Sequence, residues 1–483
     1  MTRLIKIVGL GLVIASGAVP LSAQTVLRLG SAAQEGLSAP IPGPVLGGVP
    51  ASVAAGPPLS LSLNEALRRG LDRNLGVLLE EQRVRTAEGA RWRQLGGLLP
   101  DVSGRIYGLR QTVNAAALGF GDFPGVQQII GPFNVFDARL SVSQPVIDTS
   151  ALFEAKAGAA GLRAARYGYQ DARNLVMLVV SSLYLQAVAA ESRIDAARSQ
   201  LDTAESLYQL AVDQNRAGVV ARIEVLRGDV ERKAASQRRI VAENEGARAR
   251  SALAHAIGLP FDQQFVIADP MPYSTAPAVD VGVALSAAYA QRPDVLQARE
   301  RVAAATAALS AARTDRLPRL TVDGNYGWIG AEPSTALSTF SVAANVRVPI
   351  FSAGVTKART IESDAELRRR QAELEDLRTR VSFEIQTSLR DLSAADELVA
   401  VAQSAVDLAT ETLTQARDRF AAGVATNVEV IQAQEAVVAA REGRIASLYS
   451  HNVAKAALAR AIGVGAQDFS GFMGGQGPWR IQQ

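Results

Sequence analysis

Apolar residues recur every seven positions at Ile385, Leu392, Val399, Val406, Leu413 and Phe420, with Ala395, Ala402, Ala409 and Ala416 three residues after the middle four. Val180, Ala187, Ile194, Leu201 and Tyr208 keep the same spacing, interleaved with Leu183, Ala190, Ala197, Ala204 and Ala211. A strict seven-residue repeat predicts helices in a left-handed supercoil, and alanine at alternate core positions lets their axes approach closely. No proline lies between Pro145 and Pro260 or between Pro349 and Pro478, so nothing there breaks a long helix. At 1.5 Å per residue, a helix from about 149 to 216 would reach on the order of 100 Å, longer than an ordinary globular domain.

A second period, of two, runs through four other segments. Leu320, Val322, Tyr326 and Trp328 alternate with Thr321, Asp323, Asn325 and Gly327, and Phe340, Val342, Ala344, Val346 and Val348 with Ser341, Ala343, Asn345 and Arg347. Ala138, Leu140 and Val142 alternate with Asp137, Arg139, Ser141 and Ser143, and a looser alternation carries Tyr107, Leu109 and Val113. Strands are expected at about 101–114, 133–147, 319–331 and 338–350. Strands apolar on one face and polar on the other suit a membrane barrel with a wet interior or a half-exposed soluble sheet.

The chain also matches itself. Arg216 to Leu226 aligns with Ala421 to Ile431 at an offset of 205 residues, which also brings Ala256-Ile257-Gly258 onto Ala461-Ile462-Gly463. Leu99-Pro100-Asp101-Val102 aligns with Leu317-Pro318-Arg319-Leu320 at an offset of 218, leaving a longer first-copy loop near 115–132. Each copy reads helix, strand, strand, very long helix, turn, shorter helix, over 59–260 and 281–465 with a linker at 261–280 and a tail at 466–483. Gly218 and Gly423 sit where the long helix stops and the amphipathic pattern resumes, which marks the tips of two helical hairpins.

Composition narrows the class. Residues 1–23 read as a secretory signal, with Arg3 and Lys6 before an apolar run and Ser22-Ala23 at the expected cut. Residues 24–58 hold six prolines between Pro40 and Pro58 and read as an extended tail. The uncharged stretch Asn174 to Ala190 is long enough to be considered a membrane span, but its duplicate carries Glu384, Arg390 and Asp391, so both read as core-facing helix and no transmembrane helix is expected. A formal charge of +3 gives no reason to expect nucleic acid as partner. With no cysteine, no phosphate-binding loop and no nucleophile motif, neither enzyme activity nor a cofactor is expected; His255 and His451 read as helix-surface residues.

Four strands cannot close a membrane barrel and open edges are not tolerated in lipid, so membrane strands would require several copies of the chain. A periplasmic coiled-coil adaptor would carry one hairpin where this chain has two, and a structural coiled-coil protein leaves the strands without a role. The order of elements, the strand ends Gln144-Pro145-Val146-Ile147 and Val348-Pro349-Ile350-Phe351, and the two Gly-x-x-x-x-x-Glu-Val tips together resemble the TolC-like outer membrane factor family over about 59–465. That resemblance implies a mainly α protein with a membrane β-barrel: four barrel strands per chain, a homotrimer closing twelve strands in outer membrane lipid, and a long coiled-coil tunnel across the periplasm. It implies work with a periplasmic membrane-fusion adaptor and an inner-membrane pump, in efflux of drugs or other small molecules or in type I protein secretion. Relatives in the efflux branch are lipidated on a cysteine; this chain has none and would be held by its barrel alone.

By the same resemblance the tips form a periplasmic constriction. Glu224 and Glu429 fall on its acidic positions, and Gln432 stands where some members have a second acid. Phe420 and Ala425 occupy the places of a Tyr and an Arg that lock the entrance in some members, and Gly218, Val219, Gly423 and Val424 fall where the adaptor makes contact. Independently of the family, three copies would gather up to six glutamates near one axis and attract cations; a glutamate in a first helical turn is also favoured by the helix dipole alone.

Overall fold

The computed structural model describes residues 43–50, 57–119, 127–260, 262–275, 279–352, 354–422, 424, 427–465 and 468–474. The segment read as a secretory signal lies outside them. The elements run β1 (Leu59–Leu61), α1 (Leu63–Arg73), α2 (Leu75–Gly96), β2 (Asp101–Asn114), β3 (Ile129–Ile147), α3 (Thr149–Arg216), α4 (Arg222–Ala256), β4 (Phe265–Ile267), α5 (Val281–Gln291), α6 (Pro293–Thr314), β5 (Arg319–Gly330), β6 (Leu337–Arg347), α7 (Val355–Ala421), α8 (Asn427–Ile462) and α9 (Phe469–Gly474). Long helices and four alternating strands are therefore both present. β3 starts earlier than about 133, and β5 and β6 stop short of 331 and 350.

The sheet is antiparallel in the order β2-β3-β5-β6, with β2 and β6 as open edges. Register pairs Leu140 with Gly104 and Tyr326, and Tyr326 with Phe340, so one face carries Val102, Ile106, Leu140, Val142, Tyr326, Trp328, Phe340, Val342 and Val346. All nine are exposed in the single chain. The opposite face is polar and cross-linked: Arg139 donates to Asn325 Oδ1 (2.9 Å), and Ser143 Oγ and Asn345 Nδ2 each donate to Asp323 (2.6 Å). An apolar face bearing aromatics, backed by a wet polar one, is the division a lipid-embedded barrel needs.

Below the sheet, α3 and α7, 68 and 67 residues long, each run the length of the helical part, about 100 Å. Near the strands the helices lie side by side in the order α2, α3, α6, α7; towards the tips the order is α4, α3, α8, α7. The alanine seams lie where these helices meet: Ala197, Ala204 and Ala211 of α3 and Ala395 and Ala416 of α7 are buried. The apolar stretch at 176–190 lies in a core with Leu61, Leu67, Leu253 and Phe469, which accounts for its burial without a membrane. A second core joins Ala284, Ala288 and Val295 to Ile385, Leu392 and Leu458.

Three features depart from the sequence expectations. The opening helix of each copy is two helices, broken at Asn74 and at Arg292. The Asn74 amide caps α2 at Gly76 N (2.9 Å) and donates to the Val45 (2.7 Å) and Ala256 (3.1 Å) carbonyls. Arg292 likewise donates to the Ala461 carbonyl (3.1 Å), and its fork holds Asp294 (3.0 and 2.7 Å) and Glu384 (2.7 Å). Burial alone would lower the pKa of this guanidinium; the two carboxylates outweigh it and raise it. Gly258 and Gly463 close α4 and α8 beside these breaks, and a Cβ on Gly463 would sit 3.1 Å from Arg292 Cγ.

The parts read as tails are docked where they are described. Val45 is buried and Gly48 bridges to Asn74, while Phe469 and Met473 of α9 enter the first core. His451, expected on a helix surface, is fully buried because residues 268–275 and α9 fold over α8. Its Nε2 lies 3.3 Å from Asp396, and its ring packs at a tilt against Tyr273, centroids 5.2 Å apart. Next to it Lys455, also buried, donates to Ser274 Oγ and to the Met473 carbonyl. His255 is exposed.

Candidate functional site at the hairpin tips

The first tip is closed by backbone geometry. Gly218 takes a left-handed φ of 75°, its N–H reaches Asn215 O (3.0 Å) and the Val219 N–H reaches Gln214 O (2.9 Å), the double bond that ends a helix at a glycine. Asn215 Nδ2 ties down the Val220 carbonyl at 2.8 Å, so the turn holds its shape while the Val219 side chain is 71% exposed. α4 begins four residues after Gly218 without a side-chain cap. Glu224 stands in its first turn, where the helix dipole favours a carboxylate. Arg227, one turn on, donates to Glu224 Oε1 at 2.6 Å, and Oε2 is shielded from solvent with no partner among the described residues.

The second tip repeats the backbone and changes the side chains. The Val424 N–H reaches Arg419 O at 3.0 Å, the counterpart of the Val219 bond, and the Val424 side chain is exposed. Glu429 stands in the first turn of α8. Gln432 occupies the place of Arg227 and is exposed, and Glu429 instead faces Arg419 of the preceding helix at 3.7 Å, across the turn. Phe420 is turned into the seam against Ala416, Val430 and Ala433, with Leu207 of α3 beside them, as its heptad position requires. Gly423 and Ala425 lie outside the described residues.

Each tip therefore presents an exposed valine at its end and one glutamate balanced by one arginine. The pairs are partly solvent-exposed, and such pairs hold the side chains only weakly. Arg227 and Arg419 were missed at the level of sequence; arginine one turn after a glutamate is common on any helix, and Arg419 reaches Glu429 only because the chain turns back.

Alternating barrel strands continuing into paired long helices define a channel protein of the outer membrane. The family model for outer membrane efflux proteins matches residues 81–259 and 284–464, and the chain belongs to that family. It is an outer membrane protein that extends into the periplasm. Over 316 residues it is 27% identical to the pyoverdine export outer membrane protein OpmQ of Pseudomonas aeruginosa, covering 63% of this chain and 65% of that one. It is 24% identical over 347 residues to the alkaline protease secretion protein AprF of the same organism, covering 69% and 70%. In structure it is similar to the CmeC outer membrane channel of Campylobacter jejuni, with a TM-score of 0.72 at 17% identity over 86% and 90% of the two chains. It is also similar to VceC of Vibrio cholerae, with 0.70 at 16% identity over 83% and 96%.

Proposed function

We propose that three copies of this chain form a passive duct from the periplasm through the outer membrane, serving a tripartite efflux system for small molecules. One observation carries the reading: both levels of the chain end in unsatisfied edges on the same two sides. In the sheet the edges are β2 and β6. In the helical band towards the tips they are α4 and α7. α4 exposes Ile223, Leu226, Val230, Ile240 and Val241, and α7 exposes Leu398, Val401 and Leu408, a second stripe at helical spacing outside its own seam. One copy's α4 edge thus finds an apolar partner in the next copy's α7, while β6 pairs with β2, and three copies close twelve strands around a lumen.

An aqueous duct this long has no energy source of its own, so an inner-membrane pump drives transport, joined to the duct by a periplasmic adaptor that contacts Gly218, Val219, Gly423 and Val424. Glu224 and Glu429 line the entrance, with Phe420 and Gln432 supporting it from the seam and the second helix. Their arginines make the entrance less cation-attracting than bare carboxylates would be. A type I secretion duct is the second reading, favoured by the similarity to AprF. Mass measurement of detergent-extracted protein with planar-bilayer conductance tests the duct; a monomer without conductance overturns it. With Glu224→Gln and Glu429→Gln combined, cation selectivity and block by multivalent cations weaken; unchanged selectivity removes these residues from the constriction.

A further inference from the structure

We infer that the polar face of the sheet carries an anion-binding belt, centred on Arg105 and Arg139, that takes cargo bearing carboxylate or phosphate groups. The inference rests on the duct reading, which turns this face towards the lumen.

Arg105 and Arg139 are direct cross-strand partners, and their row continues across the sheet through Gly327 and Thr339. Like charges placed opposite each other destabilise a sheet, so folding gives no reason for two arginines here. No acid stands in the row. Arg139 has a local partner: its Nε lies 3.0 Å from Asp137, one row further along, and Nη1 donates to Asn325. Arg105 has no hydrogen-bond or ion-pair partner among the described residues and is exposed. The other acids of this face, Asp101 and Asp323, share one row four residues along the strands from Arg105 and Arg139, and Asp323 already accepts from Ser143 and Asn345.

A second arginine pair, Arg319 opposite Arg347, shows the contrast. Arg319 has two carboxylates, Asp315 and Asp148, the latter at 3.6 Å, so that pair is balanced on the spot. The Arg105 row is left with one positive charge per chain in excess, and three chains would place these charges around one ring of the lumen. A guanidinium fork binds an oxyanion through two parallel N–H bonds, which a lysine cannot copy.

The test uses the full-length trimer in planar bilayers, with tripolyphosphate added on the side of the strand loops. Block of the wild type is expected, with the half-blocking concentration raised roughly tenfold in Arg105→Gln, the loss of a charge-assisted bond. Arg105→Lys is expected to give an intermediate value, and Arg347→Gln, on the same face, to match the wild type. Conducting channels that tripolyphosphate blocks equally in wild type and Arg105→Gln, or not at all, overturn the belt and leave the duct standing. Trimers that do not conduct overturn both.

Discussion

At Asn74 and at Arg292 the first helix of each half breaks, and both side chains reach a carbonyl at the end of the fourth helix of their own half, Ala256 or Ala461. In the first half the strut is a neutral amide with every polar atom bonded. In the second it is a buried cation that needs Asp294 and Glu384 to balance it. The same divergence recurs deeper in the helices. Glu191 and Arg250 pair at 2.9 Å near the surface of the first half. Their counterparts Asp396 and Lys455 lie beneath the 268–275 segment and α9, with His451 where the first half has Gly246. Duplication preserved geometry, and charge then followed whatever came to cover each half.

If the second half depends on charge, Arg292→Met should be the most damaging substitution. It leaves the largely buried Asp294 and the half-buried Glu384 without their cation, a loss of about 3–5 kcal/mol, read as a large fall in the melting temperature of the detergent-solubilised protein. Asn74→Ala should cost about 1–3 kcal/mol for its unmet carbonyls; equal losses at the two sites would end the distinction. A smaller effect separates the halves by pH. Burial holds His451 below its ordinary pKa of 6.5, against the pull of Asp396. As pH falls through that value the unfolded chain takes up the proton first, so stability drops below pH 6.5. His451→Gln should flatten this slope in thermal melts at several pH values. At the tips, Glu224→Gln and Glu429→Gln should each change the melting temperature least, because exposed ion pairs contribute at most about 1 kcal/mol.

How much of this was legible in the sequence varied with the kind of signal. Seven-residue spacing and missing prolines placed α3 and α7, and period-two alternation placed β5 and β6, because burial along such elements repeats. The break at Arg292 was also readable, since a residue before proline is pushed out of the helical region. That at Asn74 was not, because asparagine alone does not separate a cap from a helix interior. The burial of His451 depends on which distant segment lies over it, and no local pattern carries that. The tip glutamates followed from position after the turn glycines, whereas Arg419 became visible only when the chain folded back on itself.

The two open edges also bear on inheritance. If three copies close the duct as proposed, a chain whose α4 or β2 edge is spoiled still offers a sound α7 and β6 edge, so it would enter a trimer with normal chains and leave it unclosed. Co-expressed with the normal gene, edge variants such as Val230→Asp should therefore act dominantly. Joint variants such as Arg292→Met, which weaken the single chain and leave fewer copies to assemble, should be recessive.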